Sequence, residues 1–176
     1  MHSPDWLNVL RAADALLQQC ESLVSDLPDV VYTSESTVLP GGTVGKHLRH
    51  VTDHYHAIVA ASSGSEPVDY DHRLRDVPME VDRAHALRTL AALRASIAQL
   101  GPMGHASPVS VRVMLAGDGC CATLGTTLGR ELAFATHHAV HHQAMMRAIA
   151  GEFGVDISPD FGKAPSTIHH ELSTKR

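Results

Sequence analysis

Between Trp6 and Leu27 apolar residues return every three or four positions: Trp6, Val9, Leu10, Ala13, Leu16, Leu17, Cys20, Leu23, Val24 and Leu27. That spacing draws one apolar stripe along a helix of about six turns. Ser3 followed by Pro4 starts it, as a side-chain cap and then a proline where no N–H is missed, and Pro28 stops it. A stripe of this length has to be covered, and the rest of the chain supplies helices to do so. After a polar connection ending in Pro40-Gly41-Gly42, Thr43 caps a second helix with Val44, Leu48, Val51, Tyr55, Ile58 and Val59 on its apolar face. Residues 66–80 form a charged loop with two prolines, in which Tyr70, Leu74 and Val77 can dock on the helices. Asp82 caps a third helix carrying Ala84, Leu87, Leu90, Ala91, Leu93, Ile97 and Leu100, closed by Gly101-Pro102. Val109, Val111, Val113 and Leu115 then alternate with polar or flexible positions, Gly117-Asp118-Gly119 follows, and the pattern predicts a small β-hairpin reaching Leu124. Thr126 or Thr127 caps a fourth helix running to about Ala150. The tail is polar and turn-rich, and its last residues are expected to be loose. The expected fold is all-α: a single four-helix-bundle domain over 1–176, with a small β-hairpin between helices three and four.

Composition narrows the function classes. Of 176 residues, 44% are hydrophobic and 19% charged, enough for a core, and the formal net charge is −5. Without a basic balance, and with 4% aromatics, nucleic acid is not an expected partner. No apolar run approaches the ~20 residues of a membrane helix, and the N-terminus lacks the basic start and apolar run of a signal peptide. Cys20, Cys120 and Cys121 are too few and odd in number for a disulfide framework. They read as reduced thiols in a cytoplasmic protein.

The compositional outlier is histidine, 14 of 176. The fourth helix holds two interleaved pairs, His137 with His141 and His138 with His142. Residues four apart share a helix face, so both imidazoles of a pair can reach one ion. The apolar seam Leu128, Leu132, Ala135, Ala139, Met145, Ile149 passes through His138 and His142, which therefore face the bundle core. His137 and His141 lie about 100° round. A buried pair of imidazoles without partners leaves nitrogens unsatisfied, and a metal satisfies them. Helix two offers His47, His50 and His54 as the remaining ligand. Periodicity places His47 and His54 nearer the apolar arc and does not decide among the three.

Two stretches, Thr43-Val44-Gly45-Lys46-His47-Leu48-Arg49-His50-Val51 and His138-Ala139-Val140-His141-His142, resemble the marks of the DinB-like superfamily. That superfamily includes YfiT-like metal-dependent hydrolases and thiol-dependent S-transferases. The resemblance implies a four-helix bundle of the DinB/YfiT type and metal ligands at His50, His138 and His142. It also implies chemistry on a small-molecule substrate, with a low-molecular-weight thiol as one co-substrate. Three nitrogen ligands leave open positions on a divalent transition metal (Zn, Ni or Fe), which can lower the pKa of a bound water or thiol. The expected function is thus a metal-dependent hydrolase or thiol S-transferase. The alternative is a non-catalytic metal-binding or dimeric structural bundle.

Further residues are candidates for a part in the site. His54, one turn after His50, can serve as a fourth ligand or proton shuttle. Arg73 and Arg75 can clamp an anionic substrate. Asp53 can orient an imidazole. Glu131 lies two turns before His138, placed to meet a cation from another helix. A homodimer through an outer helix face is the expected assembly.

Overall fold

A computed structural model describes residues 3–64, 66–71 and 77–175. Helices dominate. Four long ones follow the apolar stripes: α1 (Pro4–Asp26), α3 (Val44–Ser62), α4 (Arg83–Ala98) and α5 (Leu128–Glu152). Two short ones, α2 (Asp29–Thr33) and α6 (Pro165–Thr174), stand outside that set. The expected caps are in place. Ser3 Oγ accepts from the amide of Asp5, Thr43 Oγ1 from Lys46, Asp82 Oδ1 from His85 and Thr127 Oγ1 from Arg130. α1 packs on α4 and α5, and α3 packs on both as well. Their facing stripes bury Trp6, Leu17, Leu48, Tyr55, Leu90 and Leu132.

The all-α expectation needs correcting, because a three-stranded sheet in the order β1-β2-β3 accompanies the helices. β2 (Pro108–Met114) and β3 (Cys121–Thr127) are the expected hairpin, antiparallel with Val111 opposite Leu124. β1 (Val68–Asp69) adds in parallel, Val68 beside Val111. Both of these valines are buried, so the alternation expected of β2 anchors the sheet on the helical core. β1 was hidden from pattern reading because two residues carry no periodicity.

The segment 66–80 is likewise more than a loop. After β1, a 3₁₀ turn (Pro78–Glu80) packs on α3 and α4. Gly45 in the first turn of α3 accepts this turn closely: a Cβ there would lie within 3.0 Å of the Glu80 backbone and the Tyr32 ring. The tail, too, is ordered where looseness was expected. Phe161 is buried, Gly162 rests against the α5 backbone at Ala144, and α6 closes the described chain with no buried residue. No helix among the described residues is long and apolar enough to cross a membrane.

Candidate metal centre

The packing of α3 on α5 brings three imidazoles together. His138 Nε2 lies 3.0 Å from His50 Nε2 and 3.1 Å from His142 Nε2. One ligand atom from each of His50, His138 and His142 falls within 4.8 Å of the others. His142 is buried and the other two are half-buried. A neutral imidazole nitrogen carries either a proton or one in-plane lone pair. His138 Nε2 faces two nitrogens at once, so at most one of these contacts is a well-formed N–H···N bond. A cation accepts all three lone pairs together. An ion about 2.0–2.1 Å from each nitrogen spaces its donors about 2.9 Å apart at octahedral angles and about 3.3 Å apart at tetrahedral ones. The observed 3.0 and 3.1 Å fall between these values. Burial, and then the neighbouring His138 and His47, push the His142 imidazole down to about 3, which keeps it neutral and able to donate a lone pair.

Around the three nitrogens the rings are packed in a column. His54 stacks on His138 with centroids 4.4 Å apart, and Tyr70 stacks on the other side of His54 at 4.7 Å. Phe134, one turn before His138, lies nearly parallel to its ring at 5.8 Å. The Tyr70 hydroxyl donates to Glu131 Oε2 at 2.6 Å, and the Thr126 hydroxyl donates to Glu131 Oε1 at 2.8 Å. Glu131 is only 1% exposed, so those bonds hold a carboxylate out of water. On the solvent side a cavity of about 540 Å³ opens beside His47, His50 and His142, with Lys46, Arg49 and Met145 along its wall. Arg49 bridges Asp53 at 2.9 Å and the buried Glu80 at 2.8 Å.

The expected site residues divide clearly. His50, His138 and His142 converge. His54 stands beside them: its Nδ1 donates to the carbonyl of His50 at 2.9 Å, and its ring stacks on His138. His47 meets His142 on the far side of that ring, Nδ1 to Nδ1 at 3.0 Å. His137 and His141 are exposed. Arg73 and Arg75 lie outside the described residues. Asp53 pairs with Arg49 in the contact described above, and Glu131 meets Arg130 of its own helix at 3.1 Å. Met146, not Met145, belongs to the buried seam. Sequence reasoning missed the Tyr70–Glu131–Thr126 network. A carboxylate on the inward seam of α5 was the signal for it, since a buried acid needs donors.

The fold and site define a helix-dominated protein with three imidazoles converging between two helices. No family model matches the chain, and no solved structure matches it. The chain is similar to FK506-binding protein 5 of Rhizopus delemar, at 30% identity over 118 residues. The match covers 66% of this chain and 31% of that protein, so the chain spans about a third of its relative. This finding corrects the expectation of a DinB-like metal-dependent hydrolase or thiol S-transferase. The relative is named for binding FK506, not for hydrolysis or thiol transfer.

Proposed function

We propose that this chain is a metal-binding helical domain, a four-helix bundle of α1, α3, α4 and α5 that holds one divalent transition ion on His50, His138 and His142. The observation that carries the reading is His138 Nε2 facing two further imidazole nitrogens at 3.0 and 3.1 Å, an arrangement that protons alone satisfy poorly. All-nitrogen ligation suits Zn, Ni or Fe over Mg or Ca. No reaction is attached to the ion. Elemental analysis of tag-free protein purified without chelator tests the reading. About one equivalent of a transition metal in the parent, and none in His138→Ala or His142→Ala variants with intact helical circular dichroism, supports it. A parent that holds no metal and takes up none when Zn, Ni and Fe(II) are offered rejects it.

The relative's name supports a second reading, in which this segment binds FK506. The cavity of about 540 Å³ beside the imidazoles has the size of a small-molecule site. Isothermal titration of the whole chain with FK506 decides it. Saturable one-to-one binding supports the reading, and no heat at about 100 μM ligand, where even micromolar affinity saturates, rejects it.

A further inference from the structure

His142 uses both of its ring nitrogens. Nε2 faces the centre, 3.1 Å from His138 Nε2, while Nδ1 faces His47 Nδ1 at 3.0 Å. The two rings are tilted by 38°, with centroids 5.3 Å apart. Resting on the metal reading above, this geometry has a definite chemical consequence. An imidazole that gives its Nε2 lone pair to a cation keeps its proton on Nδ1, and that N–H needs an acceptor. The nitrogen in place to accept it is His47 Nδ1. His47 then carries its own proton on Nε2, beside Gly42, where a Cβ would come within 3.1 Å of that atom. The reverse arrangement, with His47 donating, would put the His142 proton on Nε2 and close the centre to an ion.

We propose that His47 is a positioning residue: its Nδ1 accepts the Nδ1–H of His142 and so holds that imidazole in the tautomer and orientation that present Nε2 to the metal. His47 is not itself a ligand, because its Nδ1 points at the face of His142 remote from the centre. Its place on α3, one turn before His50, makes one helix supply both a ligand and the partner of a ligand on α5.

The test is a Zn(II) and Co(II) titration of the whole chain against a competing chelator, in the parent and in His47→Ala, His47→Asn and His142→Ala. The Asn amide oxygen stands close to where Nδ1 stood and accepts the same proton. We expect His47→Ala to keep one equivalent of metal but bind it about 10–100-fold more weakly. His47→Asn should recover most of that loss, and His142→Ala should bind none. Long-range proton–nitrogen spectra of the zinc-loaded parent should show His142 protonated at Nδ1. The inference is overturned by His47→Ala binding within twofold of the parent, by its losing the whole equivalent as a ligand would, or by a His142 proton found elsewhere. A parent that binds no ion removes the metal reading, and this inference with it. A parent that binds while His47→Ala is unaffected removes the inference alone. Circular dichroism of the metal-free variants separates either result from misfolding.

Discussion

His138 Nε2 lies 3.0 Å from His50 Nε2, although the two residues stand 88 positions apart and on different helices. Neither helix creates this contact alone. The pair His138 and His142 is a local product of helical periodicity, but the third nitrogen arrives only because the Leu48, Val51 and Tyr55 stripe of α3 is buried against α5.

Metal should therefore stabilise the fold as a ligand of the native state. Chelator-stripped protein should melt lower than protein with excess Zn(II), and the difference should grow with the logarithm of the free ion. At about 100 times the dissociation constant the gain is about 2.7 kcal/mol. Thermal scans of the parent and His142→Ala at several Zn(II) concentrations check it, and an equal shift in the variant would point to adventitious binding elsewhere.

Replacing Tyr70 by Phe keeps the stack on His54 but withdraws the hydroxyl from Glu131. A carboxylate that is 1% exposed then loses one of its donors. The expected cost is about 1–3 kcal/mol in denaturant unfolding, with the metal stoichiometry unchanged. A loss below measurement error would mean that Thr126 and Arg130 satisfy Glu131 without it.

Gly162 combines a φ of +76° with contact against the α5 backbone. A Cβ there would lie 2.3 Å from the amide nitrogen of Ala144 and 2.5 Å from its Cα. Gly162→Ala should thus cost on the order of 2–4 kcal/mol, from left-handed backbone strain plus overpacking. Urea unfolding midpoints read this directly. A neutral substitution would show that the tail does not rest on α5 in solution.

Cys20 is fully buried, and burial pushes its thiol up to about 12 from an ordinary 9.0. The unfolded chain ionises this thiol first, so it binds fewer protons than the native state above pH 9. Stability is then full below about pH 9 and falls as pH rises toward 12, by up to about 1.4 kcal/mol per pH unit for this group. The buried Tyr32 and Tyr55 hydroxyls, also pushed up by desolvation, act in the same direction. Comparing unfolding midpoints at pH 8 and 10.5 tests the sign. A disulfide reagent at pH 8 should modify the exposed Cys120 and the half-buried Cys121 in the native protein, and Cys20 only after denaturation.

Much of the helical framework was legible because each long helix carries its own stripe and cap. Ser3, Thr43, Asp82 and Thr127 each precede a helix and each accept an amide proton from it. β1 and α6 were not legible: two residues of strand have no period, and α6 buries nothing that a pattern could register. The choice among His47, His50 and His54 was equally closed to periodicity, since all three lie along neighbouring lines of one helix. Here the resemblance pointed to His50, and the nitrogens of His50, His138 and His142 do converge.

The sequence alone dictates only local features. It set the four long amphipathic helices, the hairpin between the last two, and the pairing of His138 with His142 one turn apart on the inward face of α5. Those follow from a repeat of 3.6 residues per turn and from capping groups within a few positions of each other. Tertiary structure decided which ring of α3 points its nitrogen at that pair, which ring stacks beside it, and which meets it from behind. His50, His54 and His47 take those three parts because the helix–helix packing fixes the rotation of α3 against α5, and a turn of a few tens of degrees exchanges one imidazole for the next.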